Sequence, residues 1–180
     1  ETRSKHGGIY TTEYGLVHDK EGVDAGIAKP WEECRGIGNS FGFSRTEGLS
    51  DYSTAEHLIL TLVTTVSAGG NLLLDIGPAA DGTIPVIMQQ RLMEIGNWLK
   101  INGEAIYGTR SFIKDKSDVS INPEANKSIF FTKKGNDLYV ICPDWPKGNI
   151  VLKGLKPAGK VSVQMLGSSK TVSFKSSGGN

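Results

Sequence analysis

Residues 69–78 read GGNLLLDIGP, and this stretch is the clearest indication of the fold class. Its apolar run is short and does not alternate with polar residues. Paired glycines precede the run and Pro78 follows it. A run of this kind is typical of a strand that is buried on both faces, as in a parallel sheet. The segment therefore predicts one buried strand of an α/β structure.

Helical patterns lie on both sides of this predicted strand. Upstream, Ser53 and Glu56 have capping-box spacing, and an apolar stripe follows them up to Gly69-Gly70. The stripe consists of Leu58, Leu62, Val63 and Val66. Downstream, Asp81-Gly82 predicts a turn before a second helix. Helix followed by buried strand is half of the repeating unit of an α/β barrel or a doubly wound sheet.

The second helix is predicted to run from about Pro85 to Ile101. Proline is well tolerated in the first turn of a helix, and Asn102-Gly103 is a suitable end. One face of this helix is apolar and carries Met88, Leu92, Ile95 and Leu99.

The outer parts of the chain have different patterns. Residues 7–15, GGIYTTEYG, predict a short strand, and residues 16–50 show no sustained period and predict a long loop. After about residue 109 the pattern changes to short strands. SIFFTKKGNDLYVICPDW predicts a hairpin about residues 134–137, and VSVQMLG and TVSFKS predict further strands. This second part is expected to form an antiparallel β-sandwich.

Composition excludes several classes of protein. The 180 residues are 38% hydrophobic, which is enough for a folded core. Twenty Lys and Arg against nineteen Asp and Glu give a net charge of +1, so no nucleic-acid partner is predicted. No apolar run is long enough to span a membrane. Cys34 and Cys142 form no CxxC motif, and the three histidines lack metal-ligand spacing, so we predict free cysteines, no metal and no cofactor.

Residues 34–48, CRGIGNSFGFSRTEG, combine glycines, aromatic rings, cations and a carboxylate in one predicted loop. Long loops inside a compact domain are uncommon unless they carry a function. On composition alone, this loop is therefore either an accident or a functional site.

Three blocks of this sequence resemble the α-L-fucosidases of glycoside hydrolase family 29. They are WEECRGIGNSFGFSRTEG, GGNLLLDIGPAADGTIP and RLMEIGNWLKINGEAIYGTR, in the same order as in the family. The resemblance is close over residues 1–113 and weaker beyond. It implies that residues 1–108 are the last part of an irregular (β/α)8 catalytic barrel and residues 109–180 an incomplete β-sandwich, truncated at both ends. The implied activity is exo-acting, retaining hydrolysis of terminal L-fucose.

Retaining hydrolysis requires two carboxyl groups roughly 5 Å apart, one as nucleophile and one as general acid/base. The resemblance places the acid/base at Glu47, in SRTEG, and matches Arg35 to an arginine that contacts the sugar or the nucleophile region. The family's nucleophile lies in an Asn-Asp-Arg-Trp motif, which this sequence does not contain. We therefore expect the nucleophile upstream and the isolated chain to be inactive. The implied partners are fucosylated glycans and the N-terminal half of the same barrel, in a periplasmic, secreted or lysosomal setting.

Several alternatives stay open on the sequence. Glu13, Glu32 and Glu33 compete with Glu47, although Glu32 and Glu33 read more simply as a polar stretch. Phe41 and Phe43 are expected either to line a fucose pocket or to pack the loop. Leu72 stands where several relatives carry an aromatic ring, and Asp75 is read as a hydrogen-bonded support. Other functions compatible with the sequence are a non-catalytic carbohydrate-binding piece and a different barrel hydrolase using Asp75 and Glu47.

Overall fold

The computed structural model describes residues 31–112, 129–146, 148–152, 155, 159–170 and 172–175. Within these residues the helices are α1 (Ala55–Ser67) and α2 (Val86–Asn102). The strands are β1 (Glu32–Gly36), β2 (Asn71–Asp75), β3 (Arg110–Ser111), β4 (Phe130–Lys134) and β5 (Asp137–Ile141). Two short 3₁₀ turns lie at Leu49–Asp51 and Gly103–Ala105. None of the helices in this part of the chain has the length and apolarity that a bilayer crossing requires. The strand predicted at residues 7–15 lies outside the described residues.

The first two strands form a parallel βαβ unit with α1 as the crossover. β1 pairs with β2 from Glu32 beside Asn71 to Gly36 beside Asp75. Because the two strands run in the same direction, the loops that follow Gly36 and Asp75 emerge at the same edge of the sheet. The carboxyl edge of parallel strands is where α/β folds place their functional side chains.

The start of α1 differs from the prediction by one residue. Thr54 is the N-cap, and its hydroxyl oxygen accepts a hydrogen bond from the His57 amide (3.2 Å). Ser53 instead donates its amide to the Ile37 carbonyl (2.9 Å). The predicted capping box of Ser53 and Glu56 is therefore wrong, because Ser53 is engaged in a contact with the segment after β1.

The end of α1 and the extent of α2 agree with the prediction. Gly69 follows α1 with φ of 89°, a left-handed conformation that glycine adopts without steric cost. Pro85 occupies the N-cap of α2, one position before the predicted first turn. Of the predicted apolar face, Met88 and Ile95 are buried and Leu99 packs against the core, whereas Leu92 is 37% exposed.

The core lies between the βαβ unit and α2. The buried cluster contains Ile37, Tyr52, Leu58, Met88 and Ile95, and partly buried apolar side chains from β2 and α2 pack against it. Two of its members, Ile37 and Tyr52, belong to the loop between β1 and α1. The loop is therefore anchored in the core at both of its ends.

The predicted hairpin is confirmed. β4 and β5 pair in antiparallel register up to Lys134 beside Asp137, and Gly135 has φ of 57° in the turn between them. β3 extends this sheet beyond β4. The buried Thr132 hydroxyl donates to the Ala105 carbonyl (2.7 Å), which joins the antiparallel sheet to the turn after α2.

Three strand predictions are wrong. β1 is a strand inside the predicted 16–50 loop, because pairing with β2 overrides its charged composition. One face of β2 is open rather than buried, with Leu73 49% exposed. The described residues of 161–167 and 172–175 contain only a single bridge position, at Gln164, because an alternating pattern forms a strand only where a neighbouring strand is available.

Candidate active site

The loop between β1 and α1 turns sharply after Gly36 and then crosses the carboxyl edge of the sheet. A Cβ at Gly36 would lie 2.8 Å from the Ser40 carbonyl oxygen, so the turn requires glycine. Further along, the backbone of Gly42 and Phe43 packs directly on Gly77, where any side chain would collide with it. The loops after β1 and after β2 are therefore in contact above the strand ends.

The Glu47 carboxylate is held by this loop. Its Oε1 accepts a hydrogen bond from the Ser40 amide at 2.6 Å. Its Oε2 is shielded from solvent and makes no hydrogen bond of standard geometry with any described residue. Oε2 lies against Gly38, where a Cβ would approach it to 2.8 Å. Glu47 is thus not a solvated loop glutamate, and its carboxylate has a defined position on the fold.

Asp51 braces the end of the loop next to Glu47. Its Oδ2 accepts the Gly48 amide at 2.7 Å, and its Oδ1 accepts the Asn39 side-chain amide at 3.2 Å. These two bonds join the segment before Glu47 to the residue directly after it. A braced loop of this kind restricts how far the carboxylate moves.

Arg35 lies on β1 and is paired with Glu33. Its Nε donates to Glu33 Oε1 at 2.6 Å, and the Glu33 side chain is 3% exposed against 47% for Arg35. The two residues are two positions apart on one strand, so they share a face of the sheet. Glu33 fixes one edge of the guanidinium, and the terminal nitrogens of Arg35 make no hydrogen bond to described residues.

The structure does not join Arg35 to Glu47, since no ion pair or hydrogen bond connects the two side chains. Phe41 and Phe43 are 55% and 42% exposed, so neither ring packs the loop into the described core. Asp75 is half-buried at the end of β2, and its backbone carbonyl accepts the Ile37 amide at 3.2 Å; the predicted role of its side chain as a support stays a prediction. Leu72 is half-buried beside Glu33 in the register of β1 and β2.

The competing carboxylates are distinguished by their positions. Glu13 lies outside the described residues. Glu32 stands at the start of β1, at the opposite end of the strand from the loop. Glu33 is a buried polar residue of β1 and is paired with Arg35. Among the described candidates, Glu47 is the carboxylate on the loop at the carboxyl edge of the sheet.

Sequence reasoning missed Gly38 and Ser40, which contact the Glu47 carboxylate. Their types carry no chemical signal, since glycine and serine are common in loops. The pairing of Glu33 with Arg35 had a usable signal, because opposite charges two residues apart on a strand lie on one face. Recognising β1 as a strand would have revealed this pair.

Metal and redox centres are not suggested by the described residues. No group of three or more His, Cys, Asp or Glu side chains in this part of the chain is arranged to hold a metal ion. Cys34 and Cys142 are both free and half-buried, as predicted, and burial raises the pKa of the Cys142 thiol. His57 is exposed on α1, as expected for a surface position.

Comparison with known proteins identifies the family. The family model described as alpha-L-fucosidase matches residues 1–104, more than half of the 180 residues. The chain belongs to the alpha-L-fucosidase family.

The similarity to individual relatives extends beyond residues 1–104, which the family model matches. The chain is 39% identical to human plasma alpha-L-fucosidase over 168 residues, which cover 91% of this chain and 34% of that protein. The crystal structure of Thermotoga maritima alpha-fucosidase is similar with a TM-score of 0.63 at 41% identity, covering 73% of this chain and 30% of that one. The same enzyme in complex with fucose gives a TM-score of 0.57 at 43% identity, over 63% of this chain and 26% of that one. The chain thus spans about a third of the length of the curated relatives that it matches.

Proposed function

We propose that this chain supplies the acid/base half of an exo-acting, retaining α-L-fucosidase. In this proposal Glu47 is the general acid/base, Arg35 binds the sugar, and the nucleophilic carboxylate lies upstream. The substrates are glycans and glycoconjugates with terminal L-fucose. Family membership and the fucose complex of the Thermotoga maritima relative support the substrate class.

One observation carries the assignment of Glu47. Its carboxylate is held by the Ser40 amide at 2.6 Å, and its Oε2 is withdrawn from solvent without a partner among the described residues. Shielding a carboxylate oxygen in this way without a hydrogen bond costs free energy, and groups that carry this cost in folded proteins are often catalytic. The loop that carries Glu47 lies at the carboxyl edge of β1 and β2, where barrel enzymes hold their catalytic groups.

The chemistry proceeds in two displacements. In the first, the upstream carboxylate forms a bond to the anomeric carbon, the bond to the leaving oxygen breaks, and the Glu47 carboxyl donates its proton to that oxygen. In the second, water attacks the anomeric carbon, gives a proton to the Glu47 carboxylate, and the enzyme carboxylate departs. Each displacement inverts the configuration at the anomeric carbon, so the two together retain the configuration of fucose. The reaction needs no cofactor.

The fold proposed for the complete protein is an irregular (β/α)8 barrel followed by a β-sandwich. The parallel pair β1–β2 with its crossover helix supports the barrel, and the antiparallel sheet of β3, β4 and β5 supports the sandwich. Leu73 on β2 and Val86 at the start of α2 are 49% and 79% exposed. We assign these apolar surfaces to contacts with the remainder of the same enzyme. The plasma and tissue relatives support an extracytoplasmic location.

A substrate panel tests this function. The full-length protein that contains the chain is expected to release the aryl group from an aryl α-L-fucoside and to leave aryl β-D-galactoside and α-L-rhamnoside intact. The 180-residue chain alone is expected to hydrolyse none of them, because it lacks the Asn-Asp-Arg-Trp segment. Preference for another glycoside, or turnover by the isolated chain, would contradict the proposal.

Replacing Gly38 with alanine is expected to impair catalysis while preserving the fold. The new Cβ would lie 2.8 Å from Oε2 and 3.2 Å from Cδ of Glu47, so the carboxylate must move. Because the displaced atoms end a flexible side chain, we expect a change in Tm of less than about 4 °C in the full-length protein. A displacement of about 1 Å costs catalysis on the order of a hundredfold, and kcat/KM should fall by about 10- to 100-fold.

The matched control is Gly42→Ala in the same loop. A Cβ at Gly42 meets no atom within 4 Å, so this variant should keep wild-type kcat/KM. Equal activity of Gly38→Ala and Gly42→Ala would show that the position of the Glu47 carboxylate does not matter for turnover.

A further inference from the structure

The Glu47 carboxylate is held by an earlier part of its own loop. Its Oε1 accepts the Ser40 amide at 2.6 Å, and its Oε2 lies against Gly38, where a Cβ would approach it to 2.8 Å. Asn39 stands between these two residues in the chain. A movement of Asn39 therefore changes both of the contacts that define where the carboxylate lies.

The side chain of Asn39 is bound to Asp51, which follows Glu47 in the chain. Asn39 Nδ2 donates to Asp51 Oδ1 at 3.2 Å, and Asp51 Oδ2 accepts the Gly48 amide at 2.7 Å. A carboxylate only accepts hydrogen bonds, so Asn39 must present its amide nitrogen to Asp51. The Asp51 carboxylate thus ties the segment that contacts Glu47 to the residue directly after Glu47.

The backbone beside Asp51 is fixed to the core. Tyr52, the next residue, is 9% exposed and belongs to the core cluster. The Ser53 amide donates to the Ile37 carbonyl at 2.9 Å, and Arg91 Nε of α2 donates to the Ser53 carbonyl at 2.9 Å. Asp51 is therefore a fixed acceptor, and the loop segment that is bound to it takes its position from the core.

We propose that Asn39 and Asp51 are positioning residues that hold the Glu47 carboxylate where it exchanges a proton with the leaving oxygen and with water. This inference rests on the proposed function, in which Glu47 is the general acid/base. The Asn39–Asp51 hydrogen bond fixes the Ser40 amide and the Gly38 backbone, and these two groups fix the carboxylate. A catalytic group that is displaced by a fraction of an ångström loses activity although the fold is kept.

This role predicts different effects on two substrates. Methyl α-L-fucoside releases methanol, which needs a proton from Glu47, so a displaced carboxyl group lowers kcat/KM for this substrate. A nitrophenyl α-L-fucoside loses its aryl group without a proton, so its kcat/KM, which reports the first displacement, should hardly change. Damage to the fold would lower both values. The ratio of the two kcat/KM values therefore separates positioning of the acid/base from a general loss of structure.

The test is Asn39→Asp in the full-length protein, which keeps the size of the side chain and replaces its donor with a second carboxylate. Two facing carboxylates repel each other, so the segment should move away from Asp51. For methyl α-L-fucoside, kcat/KM should fall about tenfold, as for the loss of one hydrogen bond to a charged group. For the nitrophenyl fucoside it should stay within about twofold. Because Asn39 is exposed, Tm should change by less than about 4 °C.

Exchanging the two side chains should restore activity. In Asn39→Asp combined with Asp51→Asn, the new amide at position 51 accepts the Gly48 amide and donates to the new carboxylate at position 39. The hydrogen bond then forms with the opposite polarity, so kcat/KM for methyl α-L-fucoside should return to within about threefold of the wild-type value. Asp51→Asn alone should also stay within about threefold, because the Asn39 amide can turn over and accept from the new amide.

Ser50→Asp is the matched control for added negative charge. Ser50 is exposed in the 3₁₀ turn Leu49–Asp51, and its side chain makes no hydrogen bond to the described residues. This variant should leave kcat/KM for both substrates within about twofold of the wild-type values. A defect as large as that of Asn39→Asp would show that charge alone, and not the pair, lowers activity.

Three further outcomes would overturn the positioning role. They are an unchanged kcat/KM for methyl α-L-fucoside in Asn39→Asp, an equal fall for both substrates, and failure of the exchanged pair to recover activity. Each of them would leave the proposed function standing. Near-normal hydrolysis of methyl α-L-fucoside by Glu47→Ala would instead overturn the proposed function and the positioning role together.

Discussion

Replacing Glu47 with alanine in the full-length protein should lower kcat/KM for natural fucosides by on the order of a thousandfold. Alcohol leaving groups of natural glycans need a proton, and general acid–base catalysis is worth about 10²- to 10⁴-fold. The loss should be much smaller in kcat/KM for an activated aryl fucoside, whose leaving group departs without a proton. Azide should then restore kcat for that substrate, because it attacks the glycosyl-enzyme without needing a base. The measurement is steady-state kinetics on both substrates, with and without azide.

Glu56→Ala provides the control for Glu47→Ala. Glu56 is exposed in the first turn of α1, nine residues from Glu47, and contributes to no interaction at the loop. Its replacement should leave both kinetic constants within about twofold of the wild-type values, as expected for a surface substitution. Near-normal hydrolysis of natural fucosides by Glu47→Ala would remove Glu47 from the mechanism.

Replacing Arg35 with alanine should lower kcat/KM by about a hundredfold in the full-length protein. The Nε of Arg35 is held by Glu33 at 2.6 Å, which orients the terminal nitrogens for hydroxyl or carboxylate oxygens. Loss of such an oriented donor typically costs 10²- to 10³-fold. Arg35→Lys should recover little activity, because lysine lacks the planar fork of donors. Kinetics on an aryl fucoside measure both variants.

A stability effect must be separated from this catalytic effect. Arg35→Ala takes away a cation from the buried Glu33 carboxylate, and we expect a loss of about 1 to 2 kcal/mol in the free energy of unfolding. This is below the value for a fully buried pair, because the Arg35 side chain is 47% exposed. Adding Glu33→Gln should leave the catalytic defect of Arg35→Ala in place. Recovery of activity by the second substitution would show that Arg35 acts only through the fold.

Arg45→Ala is the matched control for charge, in the loop that follows β1. Arg45 is exposed and makes no hydrogen bond or ion pair with the described residues, so its loss should not change kcat/KM beyond about twofold. A defect of similar size in Arg35→Ala and Arg45→Ala would indicate a general effect of the loop's positive charge on substrate binding.

The parts of the fold with a local signal were predictable. The apolar run 72–74 with glycines before it predicts β2, and the period of apolar residues predicts α1 and α2. The Gly135-Asn136 turn predicts the hairpin, because glycine adopts the positive φ that the turn requires. β1 has no such signal, since three of its five residues are charged and its strand conformation depends on pairing with β2. A strand that forms only because a neighbouring strand pairs with it cannot be recognised from a local sequence pattern.

Of the residues in the candidate site, only the charged ones could be predicted from the sequence. Glu47 and Arg35 stand out because a loop with cations and a carboxylate is unusual, and the family resemblance gives them roles. Glu47 is held by the backbone amide of Ser40 and fits the space left by the absent side chain at Gly38. These residues act by fixing the position of the carboxylate. They come next to Glu47 only when the loop has folded, so no local sequence pattern shows their role.

The role of Glu47 as the general acid/base is tested most directly by the configuration of the azide product that Glu47→Ala forms in the full-length protein. If Glu47 is the acid/base, the upstream nucleophile still forms the glycosyl-enzyme from an aryl α-L-fucoside, and azide then attacks this intermediate. Two inversions give α-L-fucosyl azide, which is identified by NMR spectroscopy. If Glu47 were the nucleophile, azide would displace the aryl group directly and give the β anomer. We predict the α-azide, and formation of β-L-fucosyl azide would contradict the account.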